Sequence, residues 1–314
     1  MITFKEMYDL GVKMGIKADP RGVKKVGDYL ARVKKEHVGL SAANKNYFEE
    51  ERLTNPYYYD TRIHTGNPKA PIKRILAGID AGVGEVLLAT QLNERGTKID
   101  AVIAHHPMGG SLATLHEVMD MIVDVYEEIG VPVHLAEKFM EERIAEVGKG
   151  LHAYNHYQII DTARLLGINF MNMHTPTDNL VTVFLQEYLA KKKSETVGDV
   201  LEALMELPEY QEAKRRGAGP TLFVGSPKNK VGKYLLEMTG GTEPSSTTEP
   251  PVVGRSKVSK LSFSSFLVPP SRTIVTCRNA LSSATSSATD LPSGRSKAPR
   301  PGKAPPTGFS ASVV

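Results

Sequence analysis

The chain has 314 residues, of which 40% are hydrophobic, so it can form one large domain or two ordinary domains with a buried core. Its single cysteine, Cys277, excludes a disulfide framework and a zinc site built from thiolates. No apolar run approaches the length of a membrane span, and the first residues lack the basic-then-apolar order of a signal peptide. We therefore expect a soluble protein of the reducing cytoplasm.

The net charge of +4 is unevenly distributed along the chain. Residues 245–314 contain nine Lys or Arg and two Asp or Glu, a net charge of +7, which leaves residues 1–244 with a net charge of −3. A mildly acidic main body lacks the basic surface that is typical of nucleic-acid-binding domains. We therefore expect neither a nucleic-acid partner nor a membrane partner.

The predicted elements begin with two helices within residues 3–36, separated by a turn-rich break. A polar connection follows at 44–71, and we expect its tyrosines to pack on the main domain. From residue 72 strands and helices alternate, which predicts an α/β fold whose sheet contains parallel strands and is flanked by helices. Predicted strands lie at 74–80, 99–105, 131–134, 168–174, 220–225 and 230–238, and predicted helices at 83–95, 111–129, 136–147, 151–166, 178–192, 196–207 and 209–216.

Two adjacent histidines, His105 and His106, end one of these apolar strands. Pro107 follows and stops the strand, because proline has no N–H to donate to a neighbouring strand. The carboxyl ends of strands in open α/β sheets are where ligands bind, so the pair indicates a metal site. Histidines at such a position are often structural instead, and the spacing alone supports both interpretations equally.

A second polar cluster follows another apolar strand and favours the interpretation as a metal site over structural histidines. The strand at 168–174 ends in His174, and Pro176 and Asp178 come directly after it. Asp178 is also well placed to cap the following helix, which is the structural alternative for it. Histidine nitrogen together with carboxylate oxygen suits zinc, iron or manganese. His174 would either bind the ion or orient Asp178 by a hydrogen bond.

A dinucleotide-binding motif is not predicted, although Gly82 and Gly84 follow a strand and open a helix. The third glycine position is taken by Leu87. The end of the next strand carries histidines where an acidic ribose ligand belongs. We therefore expect no nicotinamide cofactor.

At the two polar clusters the sequence resembles the GTP cyclohydrolase I type 2-like family, also called the NIF-three-like dinuclear metal-centre family. The resemblance covers about residues 71–244. It rests on Ala104-His105-His106-Pro107, His174-Thr175-Pro176-Thr177-Asp178-Asn179, the strand 75–80, Asn155-His156, 163–168 and Met238-Thr239-Gly240-Gly241-Thr242. It implies that His105, His106 and Asp178 bind a pair of metal ions with the aspartate between them, and that the chain assembles as a hexameric ring.

The C-terminal region departs from this family pattern. The family completes its metal pair with a further histidine, followed by an acidic residue, near the C-terminus, whereas this chain has no histidine after His174. Residues 245–314 contain sixteen Ser, nine Pro and two acidic residues, a composition that predicts a disordered basic tail. The alternative is a shift of reading frame just after Pro244. The predicted organisation is therefore an N-terminal helical segment and linker at 1–70, a metal-centre domain at 71–244 with its C-terminal part missing, and a tail at 245–314.

These observations predict a metal-dependent enzyme, a hydrolase acting on a small molecule. The resemblance implies a purine nucleotide as the substrate, and another phosphate or an amide is the alternative. His105, His106 and Asp178 would hold the metal, and His174 and Asp80 would orient water or the ligands, with no catalytic residue assigned. One alternative is a non-enzymatic ring protein with a structural metal site, and another is a damaged, inactive copy. Because part of the family's ligand set is missing, we expect fewer than two tightly bound ions per chain.

Overall fold

The computed structural model describes residues 1–222, 225–232 and 234–238, together with the backbone of four short strands between residues 252 and 276. The helices in chain order are α1 (Phe4–Lys17), α2 (Gly22–Gly39), α3 (Ala42–Lys45), α4 (Val83–Glu94), α5 (Gly109–Ala113), α6 (Leu115–Val118), α7 (Asp120–Glu128), α8 (Val133–His152), α9 (Gln158–Leu165), α10 (Thr175–Lys192), α11 (Val197–Met205) and α12 (Pro208–Arg215). A turn of 3₁₀ helix lies at Glu50–Leu53. The strands are β1 (Ile63–Thr65), β2 (Arg74–Gly78), β3 (Ala101–Ala104), β4 (Asn169–Asn172), β5 (Tyr234–Glu237), β6 (Val252–Val253), β7 (Ser256–Lys257), β8 (Ser259–Ser262) and β9 (Thr273–Thr276).

The main sheet is mixed and has the strand order β1-β4-β3-β2-β9. Its three central strands are parallel, and the outer strands β1 and β9 run antiparallel to their neighbours. The prediction of an α/β fold with a parallel-containing sheet and flanking helices is therefore confirmed.

Helices cover both faces of the central strands, which explains why these strands are apolar throughout. On one face Leu76, Val102 and Phe170 pack with buried residues of α4 and α9. On the other face Ile75 and Met171 pack with buried residues of α1. Alternate residues of each strand thus enter different cores, as the period of two along a strand requires.

The tyrosine-rich connection packs against this body through Tyr57 and Tyr58, as predicted, whereas its first tyrosine, Tyr47, is exposed. Tyr57 is fully buried and Tyr58 is nearly so. The buried Asn55 amide donates to Tyr8 Oη and to the carbonyl of Thr61 at 2.7 and 2.8 Å, which ties the segment to α1. The connection therefore has fixed contacts with the fold, and it places the side chain of Asp60 at the edge of the sheet.

Two predictions in the middle of the chain are wrong. The strand predicted at 131–134 is instead the start of α8, since Pro132 is the residue before the first helical turn and its fixed φ is compatible with that position. The helix predicted at 136–147 does not end there: α8 continues through Gly148 and Gly150 to His152. The helix predicted at 151–166 is therefore divided between the end of α8 and the separate helix α9. A Cβ at Gly148 would lie 3.1 Å from the His116 ring, so this glycine serves close packing and does not end the helix.

Other elements differ from prediction in extent. The helix predicted at 111–129 is divided into α5, α6 and α7, with breaks at Thr114 and Met119. The strand predicted at 220–225 is absent from the described part of that range, residues 220–222 and 225, and the strand predicted at 230–238 is the shorter β5. Within the described residues, no helix combines the length and apolar character needed to cross a membrane.

Most of residues 245–314, for which a tail without helix or strand was predicted, lies outside the described residues. The backbone of β6 to β9 is described there: β9 pairs with β2 in the main sheet, and β8 pairs with β5. The prediction of a basic tail at 245–314 stays a prediction. The alternative of a shifted reading frame after Pro244 also concerns this range and stays a prediction.

Candidate metal centre

The register of the parallel strands brings the predicted site residues to one edge of the sheet. Gly78 lies beside Ala104, and Ala104 beside Asn172, so the three central strands end at the same level. The residues that follow these ends include Asp80, the pair His105 and His106, and His174. Segments distant in sequence therefore place their polar side chains at one edge, as their positions after apolar strands predicted.

Three histidines form the centre of this cluster. His105, His106 and His174 each offer a ring nitrogen, and these nitrogens all lie within 4.8 Å of one another, close enough to hold a metal ion together. The carboxylate of Asp178 is beside them: its Oδ1 lies 3.4 Å from His105 Nε2, and its Oδ2 lies 3.6 Å from His174 Nε2. His174 thus lies in the group with His105 and His106. The sequence alone left open whether His174 binds the ion or orients Asp178.

Asp178 does not cap the helix that contains it. Helix α10 begins at Thr175, with Pro176 in its first turn and His174 as the preceding residue, and no side chain caps it. Asp178 therefore lies within the first turn of the helix, and its carboxylate faces the imidazoles. The capping alternative predicted a helix start at residue 178, and it fails because the helix starts earlier.

Each imidazole is oriented by a contact at its Nδ1 atom. His105 Nδ1 lies 2.9 Å from Thr177 Oγ1, His106 Nδ1 lies 2.8 Å from Asp80 Oδ1, and His174 Nδ1 lies 2.9 Å from an oxygen of Asp60. Outer contacts of this kind fix the ring and leave Nε2 as the nitrogen that binds an ion. Asp80, the partner of His106, has a side chain that is 77% exposed.

The protonation of the site reflects burial and close charges. Burial, reinforced by the other two histidines, holds the pKa of His105 well below its usual range. Burial also opposes the charged form of His174, but Asp178 and Asp60 outweigh it and raise the pKa of His174 to about 9. Burial raises the pKa of Asp178 to about 7, against the opposing effect of His174. Asp60 and Asp178 therefore favour a positive charge at His174. A metal cation could take the place of the proton on His174 and would fit this set of donor atoms.

Asp60 is a residue of the site that the sequence analysis missed. Its side chain is fully buried, and besides His174 it accepts hydrogen bonds from the hydroxyls of Thr61 and Thr175. It lies in the tyrosine-rich connection, where no strand or helix period marks a position as pointing toward the sheet edge. The available signal was weak: a single acidic residue directly after tyrosines that were expected to be buried.

Asn172 and His64 were also missed, and they hold the loop that carries the paired histidines. The fully buried Asn172 amide donates to the carbonyl of His106 at 2.6 Å, and its Oδ1 accepts from the Met108 N–H at 2.9 Å. His64 Nε2 lies 2.6 Å from the same Oδ1, and burial lowers the pKa of His64 to about 4, so the ring is neutral. A buried asparagine in an apolar strand was the available sequence signal, because such an amide must find hydrogen-bond partners.

The fold and the site together define an α/β protein with a candidate histidine metal centre at the carboxyl edge of a mixed sheet. No family model matches the chain, and no curated protein matches it. A solved structure described as "Crystal structure of NIF3 superfamily protein from Sphaerobacter thermophilus" aligns with 57% of this chain at 30% sequence identity and a TM-score of 0.48. The aligned part spans 63% of that chain, which is less than two thirds of its length.

Proposed function

We propose that this protein is a divalent-metal-dependent hydrolase whose ion is held by His105, His106, His174 and Asp178. The observation that carries the proposal is the convergence of three imidazole nitrogens and a carboxylate, each imidazole being oriented by a separate outer partner. The resemblance of the Ala104–Pro107 and His174–Asn179 motifs to the GTP cyclohydrolase I type 2-like family supports a metal-dependent activity. Action on GTP, which the name of that family implies, rests on the motifs alone.

A single ion per chain fits the side chains better than a pair. Catalytic zinc sites keep about three protein ligands per ion, and a pair would share the three imidazoles and one carboxylate of this cluster. Within the described residues, the cluster of His105, His106 and His174 is the group of three or more potential ligands that lies close enough to hold an ion. Imidazole and carboxylate ligands suit zinc, iron or manganese.

A divalent cation bound here would lower the pKa of a coordinated water toward neutrality and polarise a carbonyl or phosphoryl oxygen. The chain's own residues supply the remaining parts of the proposed reaction. Asp60 and Asp80 hold His174 and His106 in place at their Nδ1 atoms. Asp178 would contribute a carboxylate oxygen to the ion beside the imidazoles of His105 and His174.

The second candidate is a metal-binding protein without catalysis, assembled as a hexameric ring. Four side-chain ligands would fill a tetrahedral shell, which is the arrangement of structural zinc sites. The partial exposure of the His106 side chain, 37%, favours an open position instead, because a structural ion is normally enclosed. A cavity that reaches Asp178 and His174 also favours access for a small molecule.

The test is metal analysis of the purified full-length chain, followed by hydrolysis assays on ester, amide, phosphate-ester and GTP substrates with and without prior chelation. We expect about one zinc, iron or manganese ion per chain and turnover that chelation removes and metal restores. His105→Ala should lose both. His134→Ala is the matched control, since His134 is exposed on α8, and it should retain both. A bound ion without turnover on any of these substrates would favour the second candidate.

A further inference from the structure

A cavity of about 90 Å³ extends from the candidate metal centre into an apolar part of the protein. One wall is polar and consists of residues of the centre and its surroundings, among them Asp60, His174, Thr175 and Asp178. Most of the remaining lining is apolar and comes from α6, α7 and residues around β5, among them Val118, Met121, Ile122, Val125, Leu236 and Met238. A molecule in this cavity would thus contact both residues of the candidate metal centre and hydrocarbon side chains.

The charges around the cavity disfavour a polyanionic substrate. No described residue that lines it is Lys or Arg, whereas two carboxylates, Asp60 and Asp178, do line it. Arg21 is the cation next in sequence to the lining residue Pro20, but its side chain is 3% exposed and its guanidinium is 2.9 Å from Asp19. Proteins that bind nucleoside triphosphates surround the phosphates with cations or with backbone N–H groups of a glycine-rich loop.

The apolar wall is suited to a short hydrocarbon chain. Ligand pockets combine apolar walls with a few polar groups that fix the reacting end, and this cavity has that arrangement. Met121 and Met238 add flexible thioethers to the wall, which adapt to chains of different shape. The small volume limits the chain to a few carbon atoms.

We propose that the cavity is an acyl-binding pocket and that the substrate is an uncharged ester with a short aliphatic acyl group. This inference rests on the proposed hydrolase function and narrows it to a substrate class. In the reaction, the oxygen of water forms a bond to the acyl carbon while the carbon–oxygen bond to the alcohol breaks. One proton of the water is transferred to the departing alcohol, so the products are a short fatty acid and an alcohol.

The first experiment measures binding, independently of turnover. A series of straight-chain hydroxamic acids, from acetohydroxamic to octanohydroxamic acid, is titrated by calorimetry into the metal-loaded full-length protein. The hydroxamate anchors on the ion, and each methylene that enters an apolar pocket should tighten binding about fourfold. We expect this increase over the first few methylenes and a plateau once the cavity is filled.

Two substitutions on α7 provide a matched comparison. Val125→Phe would fill the cavity, whereas Val123 lies on the same helix, is partly buried to a similar degree and does not line it. Val125→Phe should leave acetohydroxamate affinity unchanged and weaken the hexyl compound by tenfold or more. Val123→Phe should retain the full dependence on chain length. The pocket assignment would be overturned if hydroxamate affinity did not depend on chain length, or if it rose with chain length equally in both variants.

A second measurement separates this proposal from the metal centre. Hexanol, which has no group that binds metal strongly, is added to chelated protein carrying ¹³C-methyl methionine. Shifts of the Met121 and Met238 methyl signals that vanish in Val125→Phe would support the pocket even if the protein binds no metal and the proposed function fails. If the protein binds metal but the chelated sample shows no such shifts, the proposed function stands and the pocket assignment is wrong. Tighter binding of GTP or triphosphate than of hexanohydroxamate would also overturn the substrate class.

Discussion

Asp60 Oδ2 lies 2.9 Å from Nδ1 of His174, although the two residues are 114 positions apart in the sequence. The side chain of Asp60 is fully buried, and that of His174 is 16% exposed, so the contact is shielded from water. A buried carboxylate at this nitrogen favours the tautomer whose Nε2 faces Asp178 and also raises the affinity of the ring for a cation. The N-terminal connection therefore contributes directly to the candidate metal centre.

Asp60→Asn should weaken metal binding about 10- to 100-fold, since loss of an outer carboxylate on a ligating imidazole has effects of that size. The variant keeps the shape of the side chain but loses its charge, so the pKa of His174 should also fall. Metal affinity is measured by competition with a chromophoric chelator, and the histidine pKa by NMR titration of the chelated protein. Asp161→Asn is the control, because Asp161 forms an exposed ion pair with Arg164 on α9. Equal metal affinity in Asp60→Asn and the native chain would show that His174 needs no carboxylate partner.

Asn172→Leu should reduce both stability and metal affinity. The substitution leaves the His106 carbonyl and the Met108 N–H without their amide partner, and each buried polar group left unpaired costs roughly 1–3 kcal/mol. The loop that presents His105 and His106 would then lose its defined position. Urea unfolding and chelator competition measure the two effects, and Asn46→Leu at an exposed position serves as the control. Unchanged metal affinity at reduced stability would mean that the loop keeps its geometry without Asn172.

The sequence predicted His105, His106 and Asp178 because each follows an apolar strand whose end could be located from the chain itself. Register and strand order then decide which strand ends meet, and the parallel arrangement of β2, β3 and β4 brings these ends to one edge. The β-α-β pattern predicted the parallel pair of β2 and β3, whereas the place of β4 beside β3 was not predicted from that pattern.

Asp60, His64 and Asn172 were not predicted, and the reason is physical. Asp60 and His64 lie on or beside an irregular connection whose path is set by tertiary contacts, so no local period assigns their side chains to a face. Asn172 has its partners on a loop 66 residues away. Sequence patterns specify elements and their apolar faces, whereas hydrogen bonds between distant segments depend on how those elements finally pack. The same limit explains why a helix end was wrongly predicted just before Gly148. Close contact with His116 favours glycine at this position despite its low helix propensity.

The metal-free protein should become less stable as pH rises from about 6.5 to 9. The pKa of His174 is raised from 6.5 to about 9, so the folded state holds a proton that the unfolded state has already lost in this window. That contribution is fully present below pH 6.5 and is lost as pH rises through about 9, with a slope of at most about 1.4 kcal/mol per pH unit for one proton. Asp178, with its pKa raised to about 7, changes stability in the same direction up to neutral pH.

Metal affinity should change in the opposite direction over the same window, because the ion must displace the His174 proton. Urea unfolding of chelated protein and chelator competition, both at pH 6.5, 7.5 and 8.5, measure the two trends. In Asp60→Asn both trends should shift to lower pH. Stability of the chelated protein that rises between pH 7.5 and 8.5 would contradict the assigned charge state of His174.

Asp178→Asn should remove most of the bound metal while leaving the helix intact. Asp178 lies within the first turn of α10 and faces His105 and His174, so the carboxylate serves the imidazoles and not the helix start. Asparagine keeps the volume and removes a buried charge, so the chelated variant should be as stable as the native chain, or more stable above about pH 7, where the native carboxylate is ionised. Asp199→Asn is the matched control: the Asp199 carboxylate accepts from the N–H groups of Glu195 and Thr196 at the start of α11. This control should lose some stability, because two N–H groups at the helix start lose a charged acceptor, and should keep its metal. Metal content by atomic emission and unfolding free energy are measured on both variants. If Asp178→Asn instead loses helix stability and retains its metal, the carboxylate supports α10 and the metal centre consists of the three histidines alone.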